Sequence, residues 1–442
     1  EAARLIVRSH DPSLDEVEVS SEPSGPKVPL RLTNGLGIAS IPFPAGAASA
    51  TWHRVTAGER AVGRAKLVVR APRRNEVKID YLHRCLVVDG KPFIVMAPGW
   101  IAVENLPAVA GGQFNTVMLK RWHEPTGIIY ATGQAPPEAI DGWRRFMDDA
   151  WSRGLRVIFH LPMKLNDNSA NLDMEAIETL VNEFRDHPAL LAWHTVDEPG
   201  PRATPEKLLS VANRVRALDP YHPVWINEAT FWEETSRYAR EAQPACDVYS
   251  LDHYPIPHED TLSIASWMRR LNPIVGGRKP LFMWIQAFGA IEWWSREPTP
   301  EEVREMTYLT LIHGGRGVLY FVYRPRSAAL WAECQRLGDE VSQRVAPVLA
   351  QAVDARPAQG TPASIQGVLL TTEQGRRYLL ALNLSSAPVD LSLSAVAPGE
   401  ALTLGDAPVP PSGVTTDAGS DTTITLGPSA ASLVELAAPG AA

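Results

Sequence analysis

The chain has 442 residues, of which 45% are hydrophobic and 21% charged, with a formal net charge of −8. That length calls for two or three domains, each able to bury its own core, and the composition excludes a disordered chain or a coiled coil. The acidic balance, without a Lys/Arg stripe, speaks against nucleic acid or anionic lipid as a partner, and no run of eighteen apolar residues offers a membrane span. Residues 1–80 hold short alternating segments, Arg4–Arg8, Val28–Leu32 and Ala65–Val69, separated by Pro/Gly/Ser turns, which predicts an N-terminal β-sandwich. Residues 81–345 change character: of 13 Trp, only Trp52 lies before position 100 and none follows Trp331. From 346 to 442 short strands such as Gly367–Leu370 and Arg377–Leu382 return in Ala/Pro/Ser/Thr/Gly-rich surroundings, and a second β-sandwich is expected.

In the middle segment eight apolar runs alternate with helical patterns: Phe93–Ala97, Thr116–Leu119, Leu155–Phe159, Leu190–Val196, Val224–Ile226, Val248–Leu251, Leu281–Ile285 and Gly317–Val322. Helices are expected at Pro137–Arg153, Met174–Arg185, Pro205–Leu218, Ser263–Leu271 and Thr299–His313. The last is opened by Thr299-Pro300-Glu301-Glu302 as cap, first-turn proline and first-turn acids. Eight strands with crossover helices predict an α/β chain built on a (β/α)8 TIM barrel, flanked by the two sandwiches. Cys85, Cys246 and Cys334 have neither metal-ligand spacing nor the even count of a disulfide framework, and read as buried thiols.

Barrel enzymes do their chemistry at the C-terminal ends of their strands. Those ends carry Trp100; Lys120 to His123, including Trp122; His160; Asp197 and Glu198; Asn227 and Glu228; Asp252, His253 and Tyr254; Gln286; Tyr323 and Arg324. The segment Trp193-His194-Thr195-Val196-Asp197-Glu198-Pro199 is the most informative, because a strand delivers two adjacent carboxylates to a point where proline stops it. A proton donor and aromatic faces for sugar rings are what glycoside hydrolysis needs. Burial of Glu198 beside Trp193 and Asp197 is expected to keep it protonated for that task.

With these residues the chain resembles the large retaining clan of barrel glycoside hydrolases, in its β-galactosidase-like and cellulase-like members. There the acid/base glutamate ends the fourth strand and the nucleophile glutamate ends the seventh. Leu86-Val87-Val88-Asp89-Gly90-Lys91-Pro92-Phe93 is similar to the lead-in that joins sandwich to barrel in β-galactosidase-like members. The resemblance implies that Glu198 is the acid/base and that Tyr254, in Asp252-His253-Tyr254-Pro255, is the sixth-strand tyrosine. The chain departs at the seventh strand, where Gln286 stands at the nucleophile position, and at the fourth, where Asp-Glu replaces the usual Asn-Glu. An amide cannot form the ester intermediate.

Three routes remain. A 2-acetamido group can attack its own anomeric carbon, with Asp197 orienting it and Glu198 as acid/base, as in hexosaminidase-like barrels. Against this, adjacent strand residues face opposite ways unless the strand has ended. Inversion would pair Glu198 with Asp252 or Glu228 as base. Retention would recruit Glu292 or Glu297 from the loop that also carries Trp293-Trp294. The alternative class is a non-catalytic carbohydrate-binding barrel that has lost its nucleophile. Tyr254, Gln286, Glu228, Trp122, His160, Trp293 and Tyr323 are the expected sugar contacts. A metal site at Asp252/His253 or His123/Glu124 matches no known ligand spacing, so no metal or cofactor is expected. The expected partner is a carbohydrate substrate; sugar, linkage, oligomeric state and compartment stay open, with a secreted or periplasmic location favoured for a polysaccharide-acting enzyme.

Overall fold

The computed structural model describes residues 2–9, 11, 13–23, 25–33, 35–42, 50–111, 114–119, 129, 134–161, 174–323, 325–396, 403–404, 414–418 and 422–437. They fall into two compact units, Glu1–Arg74 and Asn75–Ala442. The first holds a four-stranded antiparallel sheet, ordered Lys27–Arg31, Glu16–Ser21, Ala50–Ala57, Arg60–Val68, and a two-stranded one of Ala2–Arg8 with Leu36–Pro42. Val17, Val19, Leu32, Ile41 and Val55 form its core.

The second unit is built on eight parallel strands: Val95–Pro98, Thr116–Met118, Arg156–His160, Leu190–Asp197, Val224–Ala229, Val248–His253, Leu281–Gln286 and Gly317–Phe321. Their hydrogen-bonded order runs from the first strand to the eighth, then down through the seventh to the second. Closure between the first and second strands is made by few bonds. Ile101 N donates to Met118 O (2.9 Å) and Asn115 N to Met96 O (3.1 Å). The Asn115 amide stands in for missing ladder, accepting from Met96 N (3.0 Å) and donating to Ile94 O (2.8 Å). The result is a nearly closed barrel, as the eight alternating runs predict.

Along each strand alternate side chains take opposite faces. Ala97, Met118, Ile158, Ala192, Trp225, Phe282, Trp284 and Leu319 fill the interior, while Val117, Phe159, Trp193, Ile226, Tyr249, Met283 and Val318 pack under the helices. Because both faces are buried, the strands read as unbroken apolar runs. A three-stranded antiparallel sheet, Val77–Asp80, Cys85–Val88 and Lys91–Phe93, adds Val77, Leu86 and Val88 to the interior cluster.

The expected helices form at Pro137–Ser152, Met174–Phe184, Pro205–Leu218, Leu262–Ile274 and Pro300–Ile312. Thr299 caps the last in a capping box with Glu302. On that helix Val303, Arg304 and Met306 through Ile312 are buried, with Glu305 half-buried between them. One side meets the barrel, and another meets the sheet strands Ile365–Thr372 and Arg377–Asn383. Those two belong to a five-stranded C-terminal sheet that also contains Ala352–Pro357, Ala431–Ala437 and Thr403–Leu404; a three-stranded sheet of Val389–Ser392, Thr422–Leu426 and Val414–Ala418 accompanies it. Among the described residues no helix is long and apolar enough to cross a membrane. Cys85, Cys246 and Cys334 are free and buried.

Candidate active site

The fourth strand shifts register between His194 and Val196, ends at Asp197, and is followed by Glu198 with φ 48°. A left-handed residue right after the strand breaks the alternation that would send two neighbouring carboxylates to opposite faces. Both therefore act on Asp252, the sixth-strand carboxyl, which is hydrogen-bonded to Glu198. Glu198 is anchored through its backbone, N donating to Asn227 O (2.8 Å) and O accepting from the Arg202 guanidinium.

Asn227 links the strands. Its Nδ2 donates to Asp252 Oδ1 (2.7 Å) and Asp197 Oδ1 (3.1 Å). Its Oδ1 accepts from Ser250 Oγ (2.7 Å), which accepts from Trp225 Nε1 (2.6 Å). An indole can only donate, so this relay fixes the amide with its N–H groups toward the carboxylates. Burial, and then the negative charges of Glu198 and Asp197, push the Asp252 carboxyl well above the usual carboxylate range, against the Asn227 bond. The Tyr254 hydroxyl is likewise raised well above its ordinary value, first by burial and then by the Asp252 carboxylate beside it. Its ring lies in an aromatic wall, 5.5 Å from Phe321, 5.1 Å from Phe288 and 5.8 Å from Trp294 between centroids.

Further along the interior, His160 Nδ1 lies 2.6 Å from His194 Nδ1, and the His160 ring meets Trp100 edge-on at 5.3 Å. Trp100, itself at φ 54°, is 6.4 Å from Trp284. The indole of Trp284 occupies the space of a side chain at position 99: a Cβ on Gly99 would come within 2.1 Å of it.

The structure therefore gathers Asp197, Glu198, Asp252 and Tyr254, and places His160 within the same interior. Other expectations need correction. Gln286 is fully buried, and its amide holds the loop after the sixth strand: Nε2 donates to Ile256 O (2.9 Å) and Phe288 O (3.0 Å), and Oε1 accepts from Ile256 N (2.9 Å). It does not present its amide to the cleft. Glu228 is buried too, and alternation turns it away from Asn227 toward the outer layer, where it accepts from Gly200 N (3.1 Å) and Ala229 N (3.0 Å). Burial pushes its carboxyl up to about 7, with Glu198 adding to the shift and those two N–H groups opposing it. Trp193 also faces the helix layer, donating to Asp219 (2.8 Å), so it does not desolvate Glu198.

Of the loop acids, Glu297 accepts from Arg326 N (2.6 Å) and Ser327 N (2.9 Å), and Glu292 is exposed at φ 49°. His253 is occupied by Thr230 Oγ1 (2.9 Å) and Ser263 Oγ (2.7 Å), and burial lowers it to about 4. Trp293 is 59% exposed, and Tyr323 meets Trp331 edge-on at 5.2 Å. Trp122, His123, Glu124 and Arg324 lie outside the described residues. The sequence reading missed His194 and Ser250. Both lie mid-strand among apolar residues on the inward parity of the strand, and that parity was the available signal.

Residues 202–353 match the family model described as β-galactosidase. No curated protein sequence matches the chain. Among solved structures, a family 39 glycoside hydrolase from Bacteroides cellulosilyticus WH2 aligns at TM-score 0.51 and 9% identity, covering 96% of this chain and 94% of its own. A family 5 mannosidase from Rhizomucor miehei aligns at TM-score 0.51 and 9% identity over 63% of this chain and 100% of its own. A β-galactosidase from the psychrophilic Marinomonas ef1 aligns at TM-score 0.46 and 13% identity over 58% of this chain, which spans 61% of that protein's length. Residues 202–353 are thus similar to a β-galactosidase family model, and the chain shares its barrel fold with solved glycoside hydrolases.

Proposed function

We propose that the protein hydrolyses a glycosidic bond in a poly- or oligosaccharide, with Glu198 as general acid. The observation that carries this reading is the cluster of Glu198 after the fourth strand with Asp252 and Tyr254 at the end of the sixth, electrostatically linked and bridged from the fifth strand by Asn227, which bonds Asp197 and Asp252. Carboxyls this close oppose one another's ionisation, and Asp252 is the one pushed toward its neutral form. A protonated Asp252 donating to Glu198 keeps that proton next to the residue that must deliver it to the leaving oxygen.

For the missing nucleophile, attack by a 2-acetamido group of the substrate, with Asp197 orienting it, is the partner mechanism best supported. The left-handed backbone at Glu198 lets Asp197 and Glu198 act on the same side, which that mechanism requires. Inversion through Asp252 is the second route, an inverting pair needing about 6.5–9.5 Å for an intervening water; there the Glu198 charge that raises the Asp252 carboxyl would oppose its action as a base. Glu228 faces away, and Glu297 is engaged by two backbone amides.

The test is hydrolysis across an array of poly- and oligosaccharides that includes N-acetylhexosamine polymers, with wild type and Glu198→Gln side by side. A loss of at least about a hundredfold in the variant is expected, the lower range of general acid catalysis. Equal rates would sink the assignment. Binding without cleavage by either protein would replace it with a carbohydrate-binding barrel.

A further inference from the structure

Two of the large apolar side chains left exposed belong to loops that follow barrel strands and are tied by contacts to the carboxylate group. Phe231 is 57% exposed and Trp293 is 59% exposed. From Glu198, the Arg202 guanidinium lies 4.0 Å away and sits 5.4 Å above the Trp232 ring, which lies 4.4 Å from Phe231. The indole of Trp232 is seated on Gly200, where a Cβ would come within 2.4 Å of it. From Asp252, two residues on in the chain, Tyr254 leads to Trp294, whose Nε1 donates to Tyr254 O (2.8 Å), and on to Trp293 at 4.7 Å between centroids. His258 Nε2 bonds Trp293 O (2.8 Å) and holds that end of the loop.

The first path runs over the loops of the fourth and fifth strands, the second over those of the sixth and seventh. They thus leave the same carboxylates along different sectors of the rim. Exposed rings cost free energy that a ligand with an apolar face recovers, and a pyranose offers such a face beside hydroxyls able to bond Arg202 and the acids. The net charge of −8 makes a neutral chain the better occupant.

We infer that Phe231–Trp232 and Trp293–Trp294 are two sugar-stacking platforms on opposite sides of the scissile bond, so that the enzyme cleaves within an oligosaccharide chain. The inference rests on the glycosidase reading. The Phe231–Trp232 platform, tied to Glu198, takes the leaving-group side, because the general acid must reach the leaving oxygen. The Trp293–Trp294 platform, tied to Tyr254, takes the other.

The experiment uses reducing-end-labelled chito-, manno- and cello-oligosaccharides of two to six units with the full chain, reading kcat/KM and the bond cut at each length. Wild type should gain in kcat/KM through at least four units. Phe231→Ala should move cleavage toward bonds with fewer sugars on the leaving-group side, and Trp293→Ala should move it the opposite way. Each should lose about three- to tenfold on the longest chains, the range of an aromatic contact. Phe231→Tyr, which keeps the ring, should restore the pattern. Trp151→Ala, an exposed aromatic on the Pro137–Ser152 helix, should not shift it. Shifts in the same direction, or none, in an enzyme that does cleave would overturn the platforms and leave the glycosidase standing. No cleavage of any glycan by wild type would bring down the glycosidase reading, and the platforms with it.

Discussion

Replacing Gln286 by glutamate supplies the side chain expected of a seventh-strand nucleophile, and the geometry says that this should destabilise the protein without restoring that chemistry. The amide is fully buried and donates to two carbonyls, Ile256 O at 2.9 Å and Phe288 O at 3.0 Å, while accepting from Ile256 N at 2.9 Å. An ionised carboxylate there would face both carbonyl oxygens with no proton to offer. A neutral one can satisfy only one of them, and the other, left unbonded, costs about 1–3 kcal/mol. Remaining neutral at pH 7 requires a rise from the ordinary value near 4.3, roughly 2.7 units or about 3.7 kcal/mol. The two together make about 5–7 kcal/mol at neutral pH, against a total of roughly 5–15 for an ordinary domain. A raised carboxyl favours the native state below its unfolded pKa and loses that advantage as pH rises, so the penalty should shrink to about 1–3 kcal/mol near pH 4. Urea unfolding of both proteins at pH 4.5 and 7, followed by tryptophan fluorescence, reads the difference directly. A variant as stable as wild type at pH 7 that also gains hydrolysis would refute the structural role given to Gln286.

Glu228 should impose a pH dependence of its own. Its folded pKa is raised from 4.5 to about 7, so the stability it contributes is complete below about 4.5 and is lost as pH rises through 7. Glu228→Gln should remove a swing of up to about 3 kcal/mol across that window, and a constant difference between the two proteins from pH 4 to 8 would refute it. Gly200→Ala should lower stability by about 1–3 kcal/mol, because φ is +43° there and the new Cβ would meet the Trp232 indole at 2.4 Å; an unchanged melting temperature would show that the indole moves aside freely.

Much of the barrel was legible because parallel strands buried on both faces leave unbroken apolar runs, and the Thr299 capping box marks its helix in four residues. Asp197, Glu198, Asp252 and Tyr254 were legible because a strand end next to proline or histidine advertises itself. The facing of Glu228 and Gln286 was harder. Glu228 follows an inward Asn227 by one residue, so parity alone turns it outward. Gln286 has inward parity, yet the loop after the sixth strand folds back and claims its amide. That closure depends on a contact thirty residues away in sequence, which no local pattern encodes. Trp193 was misplaced for the same parity reason as Glu228, and the left-handed φ at Glu198 leaves no mark in a residue type that seldom adopts it.

On the proposed reading, glutamine rather than a carboxylate at position 286 changes where negative charge sits around a developing oxocarbenium. With Gln286 turned into backbone support, the acids described at the mouth lie on the fourth and sixth strands, and they lie close enough that their charges are interdependent. Such a group resists full ionisation when empty. A positive centre forming beside it would lower the cost of ionising Asp252, so negative charge would become available as the transition state acquires positive charge, and the displaced proton would pass through Glu198 to the leaving oxygen. Asn227 contributes by holding Asp197 and Asp252 with one amide whose orientation is fixed from behind by Ser250 and Trp225. Proton delivery and charge stabilisation are then two sides of a single redistribution within one hydrogen-bonded group, a different division of labour from the separate acid and nucleophile of a double displacement.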